Sequence, residues 1–411
     1  MRISSSQFFS MNVQTMDDQQ SSLAQMYQQI ASGKKLQTAS DDPLGAAQAV
    51  QLTTQATMLT QYGLNQASAI TSLQQEFSTL SGVTTAIQGV QSQITHAGDG
   101  TLNDADRANI ASTIQGLRTT LMTLANTTDS SGNYIFSGFA GSTQAFTDNP
   151  SGTGATYNGD AGQRQVQISD NRTIDVSDLG STVFQGISPT ESDPVPAAAS
   201  ANTGSGTIGA VNVNDSSNPG NASTYQIAFT VTGGTTSYSV TDKSGNVVVP
   251  STPYTAGSKI SFAGESVAIG GAPADGDSFS ITPANSGNPA DTDVFTTLDN
   301  LMAALNTPSS SSTSSTALTN ALATASTKIN NMYNNVLAVQ VAVGGRTSEV
   351  TATQTSMATT ETQTASSLND LTSIDMVSAI SQYEMTQTAL KGAQQAFTQV
   401  SQLSLFNYLN N

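Results

Sequence analysis

The 411-residue chain has no cysteine, a single histidine and only 10% charged residues. Without cysteine there is no disulfide, no thiolate metal site and no thiol nucleophile. The lone histidine, His96, sits at a predicted helix end beside Gly98, where a protonated imidazole complements the helix dipole. Nothing places it beside a nucleophile. No apolar run is long enough to span a bilayer. The first residues, Met1 to Ser5, lack the apolar core of a general secretory signal, so a chain that leaves the cell needs another route.

Charge at 10% is far below the usual quarter. Ser, Thr, Gln, Asn, Ala and Gly fill its place. Such a surface is polar yet weakly charged, which suits close lateral packing of many copies because like-charge repulsion is small. The formal net charge of -17 opposes contact with nucleic-acid phosphates and anionic lipid. The length allows two to four domains.

Both ends of the chain read as helices. The stretch from Leu368 to Leu409 carries Met376, Ile380, Tyr383, Leu390, Phe397, Val400 and Leu403 at three- and four-residue steps, with Gln387 and Gln394 in the same seam. That is a coiled-coil seam, which needs a partner helix. The partner is either the chain's own domain or other copies of the chain. From Gln7 to Ile30 the pattern is also helical, and it is broken at Ser32-Gly33-Lys34-Lys35, where Gly33 suits a C-cap. The chain restarts at Ser40-Asp41-Asp42-Pro43. Pro43 fits the first helical position, Asp42 the N-cap, and Asp41 complements the positive end of the dipole.

A long helix follows, with Ile70, Leu73, Phe77, Leu80, Ile87 and Ile94 in its expected seam. A second helix is predicted from about Asp104 to Asn126, antiparallel to the first across the break at residues 96–100. From Tyr134 to about Pro289 the texture turns to Gly, Ser, Thr and short β-type runs. Tyr225 to Val231 alternates, Gly233-Gly234 turns, and Tyr238 with Val240 alternates again, which predicts a hairpin. Residues 260–262, 267–269 and 279–281 read as further strands. Pro189 to Thr203 reads as a linker, and Ser309 to Ser315 as a loop. Helical texture returns with Phe295, Leu298, Leu301 and Leu305, then with a seam from Ile329 through Met332, Val336, Val339, Val343 and Val350 to Met357.

The fold expected is α+β: a long antiparallel helical rod built from both chain ends, with an inserted mainly-β region. The expected division is 1–40 and 368–411 as terminal helical assembly segments, 41–138 and 291–367 as the two halves of the rod, 139–188 as a first β region and 189–290 as an inserted β module.

The segment Ser32-Gly33-Lys34-Lys35-Leu36 followed by Ser40-Asp41-Asp42-Pro43 resembles the N-terminal signature of the flagellin superfamily. The run Gly132-Asn133-Tyr134-Ile135-Phe136-Ser137-Gly138, the Tyr157-Asn158-Gly159-Asp160 segment and the ending Leu403-Ser404-Leu405-Phe406 are similar to one branch of it, the family of the third hook-associated protein. Two departures stand out: Gln144-Ala145-Phe146 replaces the family's usual Pro-Phe, and residues 189–289 look like an extra β module. The resemblance implies a flagellin-like fold and a structural ring at the hook–filament junction of the bacterial flagellum. The implied partners are neighbouring copies, the first hook-associated protein, flagellin, and an export chaperone on the C-terminal region. Export would use the flagellar type III route, without a cleaved signal. The assembly interface it implies falls on Phe8, Leu23, Tyr27, Ile30, Ile374, Val377, Ile380, Leu390, Phe397, Leu403, Leu405 and Phe406. Other readings are flagellin itself, or a minor filament subunit, and a surface adhesin or glycan-binding module carried on the inserted β region.

No catalytic constellation, cofactor site or metal site is expected. Asp99-Gly100 with Asn103, Asp104 and Asp106 lacks the spacing and closing Glu of a calcium loop, and is better read as helix capping. Asp275-Gly276-Asp277 reads as a β-turn.

Overall fold

The computed structural model describes residues 5–150, 152–188, 192–285, 292–309 and 311–409, with the side chains of residues 5, 6, 8 and 400–409 excepted. The chain divides into two compact units: residues 1–64 with 353–411, and residues 65–352.

In the terminal unit, helix α1 (Ser5–Ser32) packs against the last helix of the chain, α7 (Met376–Leu409). The unit also holds the beginning of α2 (Pro43–Ala97) and the end of α6 (Ser312–Thr372). α1 stops where Gly33 takes a φ of 67°, a left-handed conformation that favours glycine. α2 starts at Pro43, with the Gly45 N–H donating to Asp42 Oδ1 at 3.0 Å, so Asp42 is its N-cap.

In the second unit, the rest of α2 packs against α3 (Asp104–Ala125). The helices approach closely at two glycines. A Cβ on Gly82 would meet Leu124 at 3.2 Å, and one on Gly89 would meet Leu117 at 3.1 Å, a pairing that only antiparallel helices make. α3 opens with a capping box in which Asn103 accepts from the Asp106 N–H. The buried stripe of α2 runs through Ala69, Leu73, Glu76, Leu80, Val83, Ile87, Val90, Ile94 and Ala97. This corrects the expected seam at Phe77, which is 44% exposed while its polar neighbour Glu76 is buried. The reason is electrostatic: Glu76 Oε1 accepts from the Asp178 N–H at 2.8 Å and lies beside Arg346.

Strands β1 (Phe146–Asp148) and β2 (Ala155–Tyr157) form one hairpin, and β3 (Gln165–Ser169) and β4 (Arg172–Asp175) another. They precede the short helix α4 (Gly180–Phe184). Phe136, Phe146, Phe184 and Phe295 meet there with ring centroids 5.4–6.3 Å apart, knitting this region to α5 (Val294–Asn306).

The inserted module has its own apolar core, separate from that of the helices. Strands β5 (Val195–Ala198), β12 (Ser278–Thr282), β7 (Tyr225–Thr232), β8 (Thr235–Asp242) and β9 (Val247–Pro253) form an antiparallel sheet in that order. β10 (Lys259–Phe262), β11 (Glu265–Gly270) and β6 (Thr207–Val213) form a second. The β7–β8 hairpin turns on Gly233 and Gly234, both at positive φ, as its sequence predicts. The expected linker at 189–203 is corrected: residues 195–198 are an edge strand, where the missing N–H of Pro196 is tolerated; residues 189–191 lie outside the described residues. The expected loop at 309–315 is corrected too. α6 begins at Ser312 because Ser311 Oγ accepts from the Ser314 N–H at 3.1 Å, turning a low-complexity serine run into a helix cap.

Candidate assembly interface

The apolar side chains of the terminal unit are arranged differently from those of the second unit. Every fully buried apolar residue among those described lies between Ala69 and Val350. In the terminal unit, α1 buries half of Asn12, Met16, Gln19, Leu23, Met26 and Ile30, at alternating four- and three-residue steps. α7 answers with Ala379, Tyr383, Thr386, Leu390, Ala393 and Phe397, also half-buried at the same steps. The Phe9 and Phe397 rings lie 4.7 Å apart between centroids. The seam is therefore narrow and partly polar. Ala379 and Ala393 take positions expected for Ile380 and Gln394, whose side chains turn outward.

What the seam does not use stays in water. Val377 is 82% exposed and Tyr27 63%, with Ile380, Met385, Met11 and Leu44 also exposed. Of the residues expected at the interface, Leu23, Ile30, Leu390 and Phe397 lie in the seam, and Tyr27, Val377 and Ile380 lie on the outer surface. Ile374 is half-buried where the chain bends between α6 and α7. The side chains of Phe8, Leu403, Leu405 and Phe406 lie outside the described residues.

Two chain breaks meet in this unit. The Lys35 N–H donates to the Thr372 carbonyl at 2.8 Å, and the Ile374 N–H to the Gly33 carbonyl at 3.2 Å. Lys34 and Ser373 form the antiparallel bridge between them. Asp41 fastens the next turn: its Oδ2 accepts from the Thr38 N–H at 2.9 Å and the Gln37 N–H at 3.2 Å, and Oδ1 from Gln25 Nε2 at 3.3 Å. Its carboxyl is held below the ordinary value chiefly by the Thr38 hydrogen bond. Ser40 pairs its hydroxyl with Thr38. The motif at 40–43 thus builds a clasp and starts α2.

In the second unit a ladder of polar side chains on α6 holds the β regions. Asn320 Oδ1 accepts from the Ile208 N–H and its Nδ2 donates to Gly206 O; Thr324 donates to Pro196 O at 2.7 Å. Asn331 exchanges two 2.8 Å bonds with the Asp193 backbone, and Asn335 donates to Thr182 O and Val183 O. Periodicity arguments pass over these residues because they are polar. Their signal is the recurrence of Asn at helical spacing beside the apolar seam. A cleft of about 310 Å³ between β5, α5 and α6 has Lys328 as its one ionisable lining residue among the described residues. Among the described residues no group of three or more His, Cys, Asp or Glu is placed to hold a metal ion. Asp277 instead accepts from the Thr203, Gly204 and Ala274 N–H groups, as a turn residue does.

Comparison with known proteins agrees with this arrangement. The family model for the bacterial flagellin N-terminal helical region matches residues 3–140. That for the D2-like domain of flagellar hook-associated protein 1 matches residues 197–283, the inserted module. Flagellar hook-associated protein 3 of Escherichia coli is 27% identical over 99% of both chains. The crystal structure of FlgL from Xanthomonas campestris is 26% identical, covers 76% of this chain and 97% of its own, and superposes with a TM-score of 0.66. That of the flagellar junction protein FlgL from Legionella pneumophila gives 25%, 79%, 100% and 0.67. Fold and matches together define a flagellin-like structural protein of the bacterial flagellum, a structure outside the cell. More particularly, the chain is similar along its whole length to flagellar hook-associated protein 3, and its likeness to FlgL, a flagellar junction protein, supports a structural role at the hook–filament junction.

Proposed function

We propose that the terminal unit is completed only on assembly, when neighbouring copies, the first hook-associated protein and flagellin cover its outer surface. The chain then forms a ring that joins hook to filament. The observation that carries this reading is the contrast in burial. The second unit has a sealed core, whereas the terminal unit has half-buried seams and largely exposed Val377, Tyr27 and Leu44. A pair of helices about thirty residues long gains little from such a seam, and helices without tertiary packing are marginal in water. Covering exposed apolar side chains contributes about 1.5–3 kcal/mol for each one fully buried, which offsets the entropy of ordering the ends.

Residues 1–40 and 368–411 serve as the assembly segments, with Phe8, Leu23, Tyr27, Ile30, Ile374, Val377, Ile380, Leu390, Phe397, Leu403, Leu405 and Phe406 as contact residues. Segments that order late suit export in an unfolded state through the flagellar type III apparatus. They also suit capture of the C-terminal region by an export chaperone. Catalysis has no part in this role. Deleting residues 368–411 tests it. Cells carrying the truncated chain should keep bare hooks and release flagellin into the medium, and normal filaments would refute the assignment.

A further inference from the structure

The arginines among the described residues are spent internally. Arg107, Arg118, Arg164, Arg172 and Arg346, all those among the described residues, each pair with an Asp or Glu of the same chain. Lysines 34 and 35 are different. They are the one adjacent basic pair in a sequence of net charge -17. Their backbones are locked in the clasp, through the Lys34–Ser373 bridge and the Lys35 N–H bond to Thr372. Both residues are exposed, and their side chains make no ion pair. A rigid backbone with two free ammonium groups is an oriented point of positive charge.

The sequence contains two adjacent aspartate pairs. Asp41-Asp42 is consumed within the chain, as Asp41 holds the turn and Asp42 caps α2. Asp17-Asp18 is not: both residues are exposed on the middle of α1 and bond to nothing. Fourteen residues of α1, roughly 21 Å of helix, separate Asp18 from Ser32, so the two charge pairs of one molecule cannot meet each other. Two molecules staggered along their α1 axes bring them together.

We propose that Lys34-Lys35 of one copy docks on Asp17-Asp18 of an adjacent copy, and that this pairing fixes the axial stagger between subunits. The inference rests on the assembly role given above and specifies its partner as a second copy of this chain. An apolar seam of Met, Leu and Ala tolerates sliding, because its contacts are non-directional. A doubly charged contact does not, since moving it by one helical turn separates the charges and leaves each beside a neutral surface. Exposed ion pairs add little affinity; their effect is on register and choice of partner.

The absence of native cysteine makes the test clean. The full chain carrying Asp18→Cys and Lys35→Cys replaces the wild-type chain in cells, and isolated flagella are oxidised. A disulfide needs Cα atoms within about 7 Å, so any bridge between these two positions joins two molecules. The expected result is a ladder of covalent oligomers that a reductant collapses, absent from either single variant. Filaments that form normally yet yield no ladder overturn the pairing while leaving the assembly role intact, as does a bridge to a different protein. A second set of variants serves should the cysteine chain fail to assemble. Asp17→Lys with Asp18→Lys, and Lys34→Asp with Lys35→Asp, should each abolish filaments, and the four changes together should restore them. Normal filaments with either pair alone, or failure of the combination, overturn the proposal. Normal filaments after removal of residues 368–411 instead overturn the assembly role itself.

Discussion

Replacing Glu265 with Gln should make the inserted module more stable at pH 8 and change it little at pH 5. Glu265 is 1% exposed on β11, and its Oε2 has no hydrogen-bond partner. Burial raises its carboxyl from an ordinary 4.5 to about 7. The sign follows from linkage. The folded module holds the proton more tightly than the unfolded chain, so its stability is full below pH 4.5 and falls as the pH rises to 7, above which the loss is constant. A difference of about 2.5 pH units corresponds to roughly 3 kcal/mol at pH 8, and under about 1 kcal/mol at pH 5. Glutamine removes the titration and keeps the shape. The ionisable groups facing Glu265 are Tyr225 and, beyond it, Asp242; Tyr225 is itself held above its ordinary value by burial, so it stays neutral over this range. The assay is hydrogen exchange of β7 and β11 in the full-length chain, wild type and variant side by side at each pH. Exchange in the variant should be about a hundredfold slower than wild type at pH 8 and within about fivefold at pH 5. The same ratio at both pH values would show that Glu265 is not ionising against its surroundings.

Asn331→Ala should leave the Asp193 N–H without its 2.8 Å partner and cost about 1–3 kcal/mol, read as faster exchange at the β5 edge of the module. Phe146→Ala opens a hole among Phe136, Phe184 and Phe295 and should lower the stability of the second unit by about 3–5 kcal/mol, measured by urea unfolding. Asp42→Ala removes the N-cap of α2 and should cost about 1 kcal/mol, seen as fraying confined to the first turn of that helix in amide exchange. Val377→Asp changes a side chain that is 82% exposed, so the free chain should melt as wild type while cells lose filaments.

Much of the fold was legible because the governing signals are local. Gly33, Asp42 and Pro43 mark helix ends by their own conformational preferences, and the β7–β8 hairpin follows from alternation around Gly233-Gly234. The seam of α6 from Ile329 to Val350 is buried as its spacing predicts. What failed depended on partners distant in sequence. Nothing near Glu76 announces Asp178 or Arg346, so spacing alone favours Phe77 as the core residue. The proline-bearing segment at 195–198 becomes a strand only because β12 supplies the ladder. The asparagines of α6 look like ordinary surface until the backbone at 182–208 arrives to bond them. In the α1–α7 seam, helical spacing picks out Leu23, Leu390 and Phe397 as half-buried, but the phase of a seam is set by the partner helix, and it placed Ala379 where Ile380 was expected.

The measurement that bears most directly on the account is limited proteolysis of the purified, unassembled chain. Cleavage should begin within residues 1–64 and 353–411, reach the breaks near Gly33 and Ser373, and leave the second unit intact. Terminal helices that survive protease as long as residues 65–352 do would contradict it.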